Sequence, residues 1–165
     1  MRSAAVLAVC FLLPQLAAAQ PDDEPAARWV EEEVKLPPFP KSDRLVGFAP
    51  SGASSNQFFI DADSITAGRD GVMRYTLVIR GPGGGQNVSY EGIRCETREQ
   101  KYYAFGRPDG TWANARSPQW KRIEYRDINR QHGVLYDDYL CAERKRTRTP
   151  QDALQRLRYG TPRTD

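Results

Sequence analysis

The chain has 165 residues, with 24 Lys+Arg against 21 Asp+Glu and one His, a formal net charge of +3. A charge this close to balance excludes the basic footprint of a nucleic-acid-binding protein and of a strongly basic membrane protein. The length supplies a single sizeable core and no more.

Residues 1–19 read as a secretion signal. Met1-Arg2 gives the positive start, Ala4 to Leu13 a short apolar core containing Cys10, and Ala17-Ala18-Ala19 the small residues before a cleavage site. The apolar run is too short to span a bilayer, so no transmembrane span is expected in the mature chain, which would begin at Gln20. Val9 before Cys10 is a poor lipobox residue, which favours soluble export over a lipid anchor. Losing Arg2 with the signal lowers the formal charge from +3 to +2.

Cys95 and Cys141 remain, and two thiols in an oxidising compartment ordinarily pair. A redox pair would sit at C-x-x-C spacing, and a metal site would need more His or Cys than the chain holds. A structural disulfide Cys95–Cys141 is therefore expected, with no metal and no cofactor.

Residues 20–44 form a Pro-rich acidic N-terminal strap. Five prolines and the Glu31-Glu32-Glu33 run argue against a packed element, while Trp29, Val34, Leu36 and Phe39 suit an extended strap lying along the domain. A single α+β domain is expected over 45–160, followed by a tail at 161–165. Leu45 to Phe48 is a short strand candidate, Ser51 to Asn56 a loop, and Phe58-Phe59-Ile60 the next apolar run. Asp61, Asp63 and Ser64 have a calcium-like look, but the segment lacks the glycine and distal glutamate of a full loop, so it reads as a turn.

The centre of the chain is Gly71 to Cys95. Along Val72 to Arg80 the residues Met73, Tyr75, Leu77 and Ile79 share one wholly apolar face, which predicts a strand with that face on the core. Gly81-Pro82-Gly83-Gly84-Gly85 breaks it, and Val88 to Ile93 returns as a partner strand of weaker alternation. A phosphate loop would need a following helix and a Lys-Ser/Thr pair, and neither follows.

Lys101 to Phe105 is strand-like, and Arg107-Pro108-Asp109-Gly110 turns the chain into Thr111-Trp112-Ala113. Aromatic and basic residues interleave here. Most of the aromatics are needed for the core of a small β domain; Trp112, Trp120, Lys121 and Arg122 are the candidate binding surface. Arg126 to Cys141 has helical periodicity through Ile128, His132, Leu135 and Tyr139, with a break into two short helices expected at Gly133. His132, the single histidine, has no fixed partner in view and reads as a surface or capping residue. Glu143 to Thr149 is a basic connector. Thr149, Pro150 and Asp152 then open a helix that Gly160 and Pro162 stop.

Trp29 with the LPPFP strap, the turn from Phe59 to Ile65, DGVMRYTLVI, NVSYEGIRC, the aromatic strand to Trp112 and DDYLC at Cys141 carry a resemblance. Over residues 29–159 the chain resembles the cryptic neisserial protein-like family of exported proteobacterial proteins. The resemblance implies an envelope location and no reaction, since the family looks like a domain of unknown function.

The expected fold is α+β: an antiparallel sheet of about five or six strands, C-terminal helical segments and one disulfide. Expected core residues are Tyr75, Leu77, Ile79, Ile93, Tyr103, Phe105, Trp112, Ile128 and Leu135. The expected function is that of an exported, periplasmic or envelope-associated, non-catalytic domain that binds an envelope protein, a glycan or a lipid. The alternatives are a small periplasmic hydrolase and a structural subunit of an envelope assembly. The hydrolase is disfavoured by one histidine, no Gly-x-Ser-x-Gly elbow and no H-E-x-x-H.

Overall fold

The computed structural model describes residues 28–50, 54–124, 130–143 and 146–160. The expected signal with Cys10, the core candidate Ile128, Arg144, Lys145 and the C-terminal tail lie outside these residues. Eight strands form one antiparallel sheet: β1 (Leu45–Phe48), β2 (Gln57–Asp61), β3 (Thr66–Ala67), β4 (Val72–Arg80), β5 (Gln86–Arg94), β6 (Glu99–Gly106), β7 (Trp112–Asn114) and β8 (Lys121–Arg122). The main path is β1-β2-β4-β5-β6-β7, with β3 beside β4 and β8 beside β6. Helix α1 (Arg130–Val134), a π-helix (Leu135–Leu140), the small ladder of β9 (Cys141–Ala142) with β10 (Arg146–Thr147), and helix α2 (Pro150–Tyr159) complete the α+β fold.

Turn chemistry sets the strand pairing. Gly81 N–H donates to Gly85 at 2.8 Å, and Gly84 takes φ +81°, closing the β4–β5 hairpin. The register pairs Met73 with Ile93, Tyr75 with Glu91 and Leu77 with Ser89. The Arg107–Thr111 turn closes β6 on β7, with the Asp109 carboxylate accepting from the Thr111 amide at 2.9 Å. In the Asp61 turn, the Ser64 hydroxyl donates to the Asp61 carbonyl and accepts from the Thr76 amide, both at 2.8 Å, which ties the turn to β4. Thr149 caps α2 through the Asp152 amide at 3.1 Å.

One face of the sheet packs on the C-terminal helices. Met73, Tyr75, Leu77, Ile60 and Ile93 meet Leu135, Leu140, Ala153 and Leu157 there. The Cys95–Cys141 disulfide, both residues buried, joins the end of β5 to the end of the π-helix. The alternation along β4 places only one face inside, yet Val72, Arg74, Thr76 and Val78 on the other face are buried too. Strap residues cover that second face. Val34 packs with Trp112 on the cluster of Tyr90, Tyr103 and Ala104, and Phe39 lies against Trp112.

Two expectations are corrected. Phe105, expected in the core, is 45% exposed. A bulge is the reason: Glu91 pairs with Tyr102 but Tyr90 with Ala104, so Tyr103 is the extra residue and alternation along β6 shifts. The break expected at Gly133 falls just after it: the helical segment ending at Cys141 changes from α1 to the π-helix after Val134. That winding brings Asp137 to Arg98 at 2.9 Å and the Tyr136 hydroxyl to the Cys95 carbonyl at 3.0 Å. Finally, His132 is buried, not a surface or capping residue.

Candidate functional site

The bulge also assembles a site. Ser89 and Glu91 project from β5 on the helix-packed face, Tyr75 stands opposite Glu91 on β4, and α1 brings His132 over them. The Glu91 side chain is fully buried. Its carboxylate accepts from the Ser89 hydroxyl on one oxygen (2.5 Å) and from the Tyr75 hydroxyl on the other (3.1 Å). His132 Nε2 lies 2.7 Å from that second oxygen. A carboxylate only accepts, so the Nε2 position carries the proton. Burial, and then the facing Glu91 carboxylate, push the Tyr75 hydroxyl well above the ordinary tyrosine range and keep it a donor.

An uncompensated buried carboxylate costs several kcal/mol, and three donors are what make this one tolerable. The group is fixed on rigid elements: two central strands and a helix held by the disulfide next to it. Above it opens a cavity of about 280 Å³. Ser89, Glu91 and Gln131 border its inner part, and Ile79, Tyr102 and Phe105 its walls, with Gln86 and Asn87 at the β5 end. Tyr102 stacks on Phe105 with centroids 5.3 Å apart and meets His132 edge-on at 5.8 Å. An exposed phenylalanine is thereby backed by a tyrosine whose other neighbour belongs to the buried polar set. The volume suits one ring or one side-chain head group, at the small end of ligand sites.

A Ser-His-acid hydrolase needs the serine hydroxyl on the imidazole. Here the Ser89 hydroxyl is bonded to Glu91 and the imidazole Nε2 faces the same carboxylate. A wider groove of about 630 Å³ between Trp29, Asp70 and Arg146 offers less, because its charges are already matched. Arg69 pairs with Glu32, Asp70 with Arg74, and Arg146 with Glu143.

The surface expected from Trp112, Trp120, Lys121 and Arg122 is distributed otherwise. Trp112 donates its indole N–H to the Pro37 carbonyl at 2.9 Å. Trp120 packs edge-on against Trp29 at 5.9 Å and donates to Glu31 at 3.4 Å. Both tryptophans hold the strap, while Lys121 and Arg122 stand exposed on β8. Glu31 is the hub of that docking, accepting from Lys101 at 2.7 Å and from Tyr103 at 2.8 Å.

Sequence reasoning missed Glu91, Ser89 and Tyr102. The signal was there in Ser89 and Glu91: two polar residues share a face with Ile93, and the register laid that face on the apolar set of β4.

No curated relative and no solved structure matches the chain. The family model of the CNP1-like family matches residues 24–158, which takes in the strap, the whole sheet and most of α2. The chain belongs to the CNP1-like family.

Proposed function

We propose that the protein is an exported, envelope-associated binding domain without catalytic activity, and that it engages its partner through the cavity beside Glu91. The finer reading of its family membership is the exported cryptic neisserial protein-like group. Export is supported by the charge pattern of residues 1–19 and by a buried disulfide, which persists in an oxidising compartment. The observation that carries the binding reading is Phe105, 45% exposed and stacked on Tyr102 at the mouth of a cavity with a buried polar floor. Aromatic rings at a cavity mouth supply contact area at low entropic cost, and fixed polar groups below them supply orientation.

The test is a photo-reactive residue at position 105 in the full-length protein, expressed in cells of the source bacterium. A control protein carries it at position 159, where Tyr159 is 79% exposed. The reading expects the protein in the periplasmic or envelope fraction with its N-terminus at Gln20. It also expects mass-shifted adducts from position 105 and none from 159. Cytoplasmic protein with an intact N-terminus would overturn export. Equal adduct yields at both positions would overturn the cavity as the binding site.

A further inference from the structure

We infer that the group entering this cavity is an organic cation, an alkylammonium or a guanidinium; this rests on the binding reading above. Three observations converge on it.

The first is the charge of the lining. Among the described residues Glu91 is the one charged group in the lining, and no described lysine or arginine borders it, although lysine and arginine outnumber acids 24 to 21 in the chain. In the buried set the negative charge is that of the Glu91 carboxylate, on which His132, Tyr75 and Ser89 converge. That charge is held in a low-dielectric setting by donors that cannot reorient. Arg80, at the same end of the sheet, is turned to the opposite face and lies over the Phe59 ring.

The second is the treatment of aromatic faces elsewhere in the molecule. Arg94 lies 4.0 Å from the Trp29 centroid, Arg80 4.8 Å from Phe59 and Arg98 4.5 Å from Tyr136. Lys101 serves both Tyr103 and Trp120. Several rings thus carry the chain's own cations, and among the described residues none lies over Phe105. The exposed Phe105 ring stands at the mouth of that cavity. A cation over it gains from the ring quadrupole and from the carboxylate below.

The third is size. A trimethylammonium or guanidinium head group fits a cavity of about 280 Å³ with room for its first attached carbons.

The experiment is a set of four NMR titrations of the isotope-labelled mature protein at about pH 8. The probes are choline, agmatine, 3,3-dimethylbutanol (the uncharged isostere of choline) and N-acetylglucosamine. The inference expects choline or agmatine to shift the resonances of Tyr102, Phe105 and Gln131. It expects 3,3-dimethylbutanol to bind about tenfold more weakly than choline. Which of the two cations binds more tightly separates a quaternary-amine head group from an arginine-like side chain. Phe105→Ala, at an exposed position, should lose most of the cation affinity while keeping the native spectrum. Glu91→Gln should lose it too, and thermal melting separates that loss from unfolding. Neutral probes binding as tightly as the cations would overturn the cation assignment and leave the cavity a binding site. Silence from all four probes would also overturn it; silence together with no adducts at position 105 would overturn the binding reading as well.

Discussion

Glu91 and His132 stand 41 residues apart in the chain and 2.7 Å apart in the fold, both shut off from solvent. The contact fastens the C-terminal helical segment to the centre of the sheet. Removing the imidazole leaves the carboxylate with two donors in place of three; removing the charge leaves a donor facing a weaker acceptor. We expect His132→Ala to cost about 2–4 kcal/mol and Glu91→Gln about 1–3 kcal/mol. A double-mutant cycle by urea unfolding should give a coupling of about 1–3 kcal/mol. Additive losses would show that the two residues contribute independently.

The strap is a load on one carboxylate. Glu31 accepts from Lys101 and Tyr103 and lies 4.0 Å from Arg74, so it gathers donors from two strands. Glu31→Ala should cost about 1–3 kcal/mol, the range of hydrogen bonds to a charged group. The distinguishing readout is limited proteolysis: cleavage between residues 28 and 41 should accelerate before the rest of the domain becomes sensitive. Uniform acceleration throughout the chain would mean that the strap does not undock separately.

Gly92 is required by closeness. A Cβ there would lie 2.6 Å from the Tyr103 hydroxyl and 3.0 Å from Val72 Cγ1. Gly92→Ala must move Tyr103, and with it the bond to Glu31. We expect a loss of about 1–3 kcal/mol, the usual cost of overpacking. Tyr103→Phe should remove part of that penalty when combined with Gly92→Ala, since it deletes the atom in closest conflict; equal losses with and without it would place the strain elsewhere.

Local rules written in single residues made much of the fold legible. The turn at Gly81–Gly85, the Pro108-Asp109-Gly110 turn, the Thr149 cap and the apolar set of β4 each announce themselves within a few positions. The second buried face of β4 does not, because its cover is the strap, and nothing in Arg74 says that Glu31 lies beside it. Phe105 misleads for a related reason: the extra residue at Tyr103 breaks the period-two rule, and a bulge has no composition of its own here. His132 reads as a surface or capping residue in the sequence because its partner is 41 residues earlier, in a strand whose register the weak alternation of Val88 to Ile93 leaves open. The candidate site was thus hidden in pairing, not in motif.

The disulfide closes a long loop, with its cysteines 46 residues apart. In the chain-entropy model such a link stabilises by about 4 kcal/mol, mostly by restricting the unfolded chain. Cys95→Ala with Cys141→Ala should lower the urea midpoint accordingly, and the loss should fall on the helical segment that carries His132 and Gln131. Hydrogen exchange of residues 130–141 provides the check. Exchange in β4 and β5 should rise only with global unfolding, whereas residues 130–141 should also open locally.

Acid stability should report Asp70. Burial pushes its carboxyl up, but hydrogen bonds from Arg74, the Glu32 amide and the Val72 amide, with the charge of Arg74, outweigh this and hold it below the ordinary value. The geometry is close: Arg74 Nη2 lies 2.5 Å from Asp70 Oδ2, and the Glu32 amide 2.9 Å from the same oxygen. A group whose folded pKa is depressed binds protons more weakly when folded, so its stabilisation is complete above the unfolded value of about 3.9. It is lost as pH falls through that value toward the lower folded one. The wild-type protein should therefore lose thermal stability between about pH 5 and pH 2 more steeply than Asp70→Asn, which is less stable at neutral pH but has no such proton to take up. Because Asp70 also fixes the Glu32 amide, strap proteolysis should accelerate over the same interval in the wild type. Parallel melting curves for the two proteins across that range would show that Asp70 is not the group being titrated.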